Sequence, residues 1–401
     1  MAVPLFDLQQ QHQALAPELK TAFHRVLNSG QFILGREVEA LETTAANYLK
    51  TKHAIGVSSG TDALLLGLMT LEIGPGDEVL CPNFTFFATA GSIARLGAKP
   101  VFVDVCPICF NIDVAAAAKK ITPRTKAILP VHLFGQAAEM DAVIALAKDH
   151  NLKVVEDVAQ AMGAHYRGKP LGTIGDFGAF SFFPTKNLGG FGDAGLLTCQ
   201  DPELARKARQ LRVHGMTSQY CHQYLGGNFR LDALQAALLH TKFSRIEDYI
   251  SQRQANATYY NQCLSALPGV QPADASNCSC DFPQSNKKSI QNSPQILLPV
   301  AYEHNRHTWN QYTLRVLIDG GRDALKAHLA NRGIGSAIYY PETLDRQPCF
   351  ESYCDADTEK SLKTNSHLIA QQCLSIPIYP ELTRQQQDEV IAGIETFLQG
   401  A

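Results

Sequence analysis

Between Ala54 and Cys199 the chain alternates short apolar runs, AIGV, EVLCP, PVFVDV, AILPVH, KVVED, GAFSFF and GLLTC, with mostly helix-length segments. Continuous apolar runs of this length suit strands buried on both faces, and helical crossovers between them give a mainly parallel sheet. The stretch MDAVIALAKDH from Met140 to His150 carries its apolar residues on a helical period. The pattern predicts a large α/β domain, doubly wound around a mixed, mainly parallel sheet.

Residues 1–30 read as an N-terminal arm, helical from Pro17 to Asn28 and closed by Gly30, able to return and pack on a C-terminal domain. The large domain is expected to span 31–267, and beyond Pro202 it reads as helical through Leu267. Residues 268–299 are rich in Cys, Ser, Asn and Pro without a period, which predicts a long irregular excursion. Strand, helix, strand (QYTLRVLI, DALKAHLANRG, SAIYY), then helix, strand (LSIPIY) and a last helix predict a small α+β domain over 300–401. Thr383 and Gln386 have capping-box spacing at the start of that last helix. No internal repeat is seen.

A chain of 401 residues exceeds one ordinary core, in keeping with two domains. Its formal charge of −3 comes from dispersed acidic and basic residues. Without a basic stripe, nucleic acid and anionic lipid are poor partners, and small-molecule chemistry is favoured. The N-terminus, MAVPLFDLQQQH, lacks a positive start before an apolar block, and no segment reaches membrane-spanning length; a cytoplasmic protein is expected. The eleven cysteines are scattered, as free thiols would be. Cys106 with Cys109 and Cys278 with Cys280 form close pairs, but neither has a second pair at zinc-like spacing, so no metal is expected.

Three segments carry candidate chemistry. Ser58-Ser59-Gly60-Thr61-Asp62 follows the run AIGV and precedes the helical ALLLGLMTL, leaving backbone N–H groups free at a helix start, where a phosphate binds well. Such a turn also caps ordinary helices. Asp157 ends the run KVVE, with Gln160 three residues on, at the carboxyl end of a strand where open α/β sheets place ligands. A carboxylate there could keep a pyridine nitrogen protonated and Gln160 could reach a ring oxygen; the alternative is a helix N-cap. Lys186 lies in Ser181-Phe182-Phe183-Pro184-Thr185-Lys186-Asn187-Leu188-Gly189-Gly190, between an apolar run and a glycine turn. In a partly dry pocket such an amine can form a Schiff base and shuttle protons; at an ordinary turn it would be a surface lysine.

These pieces occur in one order along the whole chain: FDLQQQ, GQFILGREVEALE, SSGTDAL, GPGDEVLCPNFTFFATA, ITPRTKAILPVHLFG, VVEDVAQAMGA, SFFPTKNLGGFGDAG, GGNFRLDALQAA and GIGSAIYYP. The sequence resembles the DegT/DnrJ/EryC1/StrS family of pyridoxal 5′-phosphate (PLP)-dependent nucleotide-sugar aminotransferases. The resemblance implies fold type I, similar to aspartate aminotransferase, with PLP held covalently by Lys186, its pyridine nitrogen on Asp157 and Gln160 by the ring hydroxyl. It further implies phosphate contacts at Gly60, Thr61 and Ser181, with Phe86 stacked on the ring.

The same resemblance implies a homodimer with shared active sites, in which Asn228 reaches the phosphate in the other subunit. Arg230, Tyr312, Tyr339 and Tyr340, together with Gln311 and the loop from His214 to Tyr224, then become candidate substrate contacts. For Arg230 a structural ion pair, and for the tyrosines strand packing, are the plain alternatives. The implied reaction moves an amino group from an amino acid, by analogy L-glutamate, to a keto group of a dTDP- or UDP-linked sugar. GGNFRLDALQAA is similar to members that aminate C3, with C4 the alternative. Related PLP-dependent sugar dehydratases carry His in place of Lys186, which argues against that branch, and a non-catalytic regulatory relative would require a missing group. The chain departs from the family at Val158, where a small Ala is usual, and in its longer, Cys-rich 268–299 segment.

Overall fold

The computed structural model describes residues 2–274, 294–354 and 364–400. Its larger sheet has seven strands, in spatial order His53–Val57, Gly195–Cys199, Phe177–Ser181, Lys153–Asp157, Thr125–Ile128, Glu78–Pro82 and Lys99–Val103. Gly195–Cys199 runs antiparallel to both neighbours, and the other pairings are parallel. Each of these strands coincides with one of the apolar runs in the sequence, because both of its faces are covered by helices. Helices Gly60–Thr70, Ala88–Arg95 and Pro202–Leu211 bury one face, around Val57, Val155 and Leu197. Arg36–Leu49, Met140–Asp149 and Ala233–Phe243 bury the other, around Ala54, Val154 and Leu196.

A second sheet orders Val270–Pro272, Ile296–Leu298, Tyr312–Val316 and Cys373–Ile376. Its core joins Leu298, Leu314 and Ile376 to Leu325, Leu329, Val390 and Ile394 of the helices Gly321–Asn331 and Arg384–Gln399. Thr383 closes the capping box with Gln386.

Four local expectations change. SAIYY is not a strand: only Ala337 bridges the sheet, at Ser375, before the chain turns so that Tyr340 can reach Gln160. The helical stretch after Pro202 is interrupted by a hairpin, Met216–Ser218 against Cys221–His222. The 268–299 segment contributes a strand at each end, Val270–Pro272 and Ile296–Leu298, each too short for periodicity to show; its centre, including Cys278 and Cys280, lies outside the described residues. The N-terminal arm divides. Val3 bridges Ile334 beside the smaller sheet, whereas helix Ala16–Ser29 sets Ala22 and Val26 on Ala233 and Ala237, small residues that let two helices approach closely.

Candidate active site

The carboxyl ends of two strands flank the amino end of the antiparallel strand between them: Val57 pairs with Gly195, which pairs with Ser181 on its other side. The Ser58–Asp62 turn follows the first of these. Ser59 caps the helix by accepting the Asp62 N–H at 3.0 Å, and the Ser58 hydroxyl donates to Asp62 at 2.6 Å. The first N–H groups of that helix, at Gly60 and Thr61, have no intrahelical partner. A β-carbon on Gly60 would lie 2.7 Å from Cβ of Ser181, so only glycine lets the turn and the Ser181 hydroxyl share one concave spot. The segment after Asn228 runs beside this turn, with Arg230 bridging Val57 and Phe229 O accepting the Ser58 N–H at 3.0 Å.

Asp157, at the end of the central strand Lys153–Asp157, is buried. Its Oδ2 accepts the Thr89 hydroxyl at 2.9 Å and its Oδ1 the Ala159 N–H at 3.1 Å. Burial raises its pKa, against the hydrogen bonds and the positive field of Lys186. No ion pair of Asp157 occurs among the described residues. Each carboxylate oxygen still has a free lone pair, so the group can accept a further, cationic N–H donor. The alternation of the strand sends neighbouring Glu156 to the opposite face, where it accepts backbone N–H groups of Gly172, Ile174 and Gly175 at 2.8–2.9 Å and faces His132 Nε2 at 3.1 Å.

Lys186 follows the end of the next strand, with a pKa pushed down to about 8 by burial, which the charge of Asp157 opposes. Some of its surface stays accessible, and its Nζ makes no hydrogen bond among the described residues. Gln160 is held at both ends of its amide: Oε1 accepts the Phe134 N–H at 2.8 Å and Nε2 donates to the Tyr340 hydroxyl at 2.9 Å. Nε2 keeps a second proton to donate. The Phe86 ring is exposed, 6.1 Å from the Tyr340 ring, so one aromatic face is open.

A buried carboxylate without a cation, an uncommitted lysine, an open aromatic face and a free helix start beside a serine hydroxyl fit a phosphorylated pyridine aldehyde such as PLP. The profile of the DegT/DnrJ/EryC1/StrS aminotransferase family matches residues 13–395. The chain belongs to this family. It is 42% identical, over 99% of each chain, to a protein of Geobacillus stearothermophilus named pleiotropic regulatory protein. It is 40% identical to the UDP-N-acetyl-3-dehydro-α-D-glucosamine 3-aminotransferase of Acidithiobacillus ferrooxidans, over 100% of this chain and 99% of that one. Among solved structures it is similar to Streptomyces venezuelae DesV in complex with a ketimine intermediate: TM-score 0.88, 38% identity, 99% of this chain and 98% of that one. It is also similar to NtdA of Bacillus subtilis with bound cofactor PMP: TM-score 0.82, 29% identity, 96% of this chain and 82% of that one.

Not every sequence candidate of this aminotransferase joins the cluster. Tyr312 is fully buried in the smaller core, its hydroxyl on Asn261 at 2.5 Å, because alternation along Tyr312–Val316 turns it inward. Tyr339 and Gln311 instead line a cavity of about 110 Å³ with Thr185 and Asn310. Asn228 is exposed, and Nε of Arg230 is buried without a partner. A larger cavity, about 610 Å³ beside the edge strand Lys99–Val103, shares none of these residues. Cys106 and Cys109 are buried beside Tyr302. Among the described residues, no group of three or more His, Cys, Asp or Glu could hold a metal, and no helix is long and apolar enough to cross a membrane. Thr89 and the Phe134 amide, which hold Asp157 and Gln160, went unnoticed in the sequence. Each lies inside a quoted motif, but nothing local marks it.

Proposed function

We propose that this aminotransferase uses PLP to move an amino group from L-glutamate to the C3 keto group of a dTDP- or UDP-linked sugar. The product would feed cell-surface polysaccharide, lipopolysaccharide or glycosylated-metabolite biosynthesis. The observation that carries the cofactor is the buried, cation-free carboxylate of Asp157 at the strand end next to Lys186. C3 is supported by the segment from Gly226 to Ala237 and by the relative named a 3-aminotransferase.

Lys186 would hold the cofactor, Asp157 its pyridine nitrogen, Gln160 its ring hydroxyl, Phe86 its ring face, and Gly60, Thr61 and Ser181 its phosphate. When bound, PLP supplies an electron sink for the carbon that loses or gains a proton. Asp157 keeps the ring nitrogen protonated, since a carboxylate buried there is stabilised most by a cation. Lys186, once free, takes the proton from the donor's α-carbon. Its Nζ serves as base in that half and as acid in the second, when the acceptor carbon is protonated, and a pKa of about 8 suits both tasks. Tyr340 and Arg230, with Tyr339 in the neighbouring cavity beside Thr185, are the candidate sugar contacts.

The test is the absorbance of the PLP-loaded protein before and after glutamate, then with 3-keto and 4-keto nucleotide sugars. The band should shift to the pyridoxamine form and return with a 3-keto sugar alone. No band would overturn the cofactor, and recovery with a 4-keto sugar would move the acceptor to C4.

The working unit in this proposal is a homodimer with shared sites. Exposed Phe23, Leu27, Phe32 and Ile33 surround the helix pair Ala16–Ser29 and Ala233–Phe243, and a second copy would cover them. Asn228→Ala should weaken PLP binding about tenfold, the loss of a hydrogen bond to a charged group, although Asn228 would serve the other subunit's phosphate. An unchanged dissociation constant would refute the shared site.

A further inference from the structure

The loop that carries Lys186 is closed on itself. Phe182 N–H donates to Ala194 O at 2.8 Å, Lys186 N–H to Phe183 O at 2.9 Å, and Gly190 N–H to Phe182 O at 2.7 Å. Gly189 lies so close to Pro184 that a β-carbon there would fall 2.0 Å from the Pro184 carbonyl oxygen. The Gly189 carbonyl is turned to helix Ala233–Phe243, where it accepts Nζ of Lys242 at 2.5 Å. From the same helix Gln235 accepts the Phe191 N–H at 3.0 Å. The Phe191 ring lies 5.6 Å from the Lys242 ammonium and stacks on His12 at 4.6 Å.

Lys242 is 0% exposed, which is costly for a lysine. Burial pushes its pKa down to about 8, and the negative charge of Glu381 opposes this. Glu381 accepts Gln11 Nε2 at 3.3 Å with one oxygen, and its other oxygen is buried without a partner. An apolar residue would fill the position of Lys242 without these costs if filling space were its whole task. Among the described residues, the one hydrogen bond that Lys242 makes falls on the loop of Lys186, three residues after it.

We infer that Lys242 is a positioning residue for this aminotransferase: from helix Ala233–Phe243 it clamps the Gly189 carbonyl and so sets the loop that aims Lys186. Lys242 touches neither the ring nor the substrate in this reading. Gln235 is the second arm of the same clamp.

Lys242→Met keeps the length and apolar stem while removing the donor. Amide hydrogen exchange in the apoprotein should rise about tenfold at Gly190 and Phe191, the loss of one charge-assisted hydrogen bond, with helix Met140–Asp149 unchanged. In the PLP-loaded enzyme, kcat should fall about tenfold to a hundredfold, with KM for the donor within about threefold, as for a displaced reacting group. Unchanged loop exchange, or exchange raised equally everywhere, would overturn the inference. Should Lys242→Met not fold, Gln235→Leu frees the Phe191 N–H of the same loop and must raise its exchange; if it does not, the inference fails. The kcat reading rests on the proposed function, whereas the apoprotein exchange does not. A wild-type protein that binds no PLP would thus defeat only the former.

Discussion

Replacing Lys186 with alanine should abolish transamination, lowering kcat by about 10⁴-fold or more, because in the proposed mechanism one amine both holds the cofactor and moves the proton in each half-reaction. Lys186 sits within a loop between two strands rather than in the sheet core, so the fold should survive and the melting temperature should change little. The environment also sets a pH dependence. With a pKa of about 8, roughly one Lys186 in ten is a neutral amine at pH 7, against about one in three thousand for an unshifted lysine. The rate of PLP capture by the apoprotein should therefore rise with pH and level off above about 8. Full turnover by Lys186→Ala, or capture still rising steeply through pH 10, would contradict the assignment.

Asp157→Asn should lower kcat by about a hundredfold or more, since a neutral amide cannot hold the ring nitrogen in its protonated form. The stability of the apoprotein should move the other way. Burial raises the pKa of Asp157, so above the ordinary carboxylate pKa the unfolded chain binds fewer protons than the fold, and stability falls as pH rises through the folded pKa. Neutral pH lies above the ordinary carboxylate pKa, so this cost is present there, and asparagine removes it while keeping an acceptor for Thr89 or Ala159. Calorimetry of the apoprotein at pH 7 should show a higher melting temperature for Asp157→Asn. A lower one, or an unchanged kcat, would show that Asp157 is an ordinary helix cap. A site that sacrifices stability for function has this signature.

Much of the site was visible in the chain because its main groups stand where a pattern breaks. Asp157 and Lys186 are charged residues at the ends of apolar runs, and the Ser58–Asp62 turn is the join between a strand and a helix. The supporting contacts were not visible. Thr89 meets Asp157 across 68 residues, Lys242 meets Gly189 across 53, and Tyr340 meets Gln160 across 180. Nothing in a local window distinguishes Thr89 from any other threonine, or Lys242 from a solvated lysine near a helix end. SAIYY misled for a related reason: its aromatic, β-branched content suits a strand, but the hydrogen bond to Gln160 and the rings of Phe84 and Phe86 draw Tyr340 out of the sheet.

By itself, the sequence determined the α/β class, the strands of the larger sheet and the family, and it singled out Lys186 and the strand-end Asp157 as the candidate pair. Periodicity and motif order are local properties that burial on both faces of a sheet imposes directly on the chain. Only the tertiary structure decided that Tyr312 is core and Tyr340 is not, that the N-terminal arm divides, and that Lys242 is buried against the loop of Lys186. Those outcomes depend on which distant segments meet, and a contact across scores of residues leaves no period for the sequence to display.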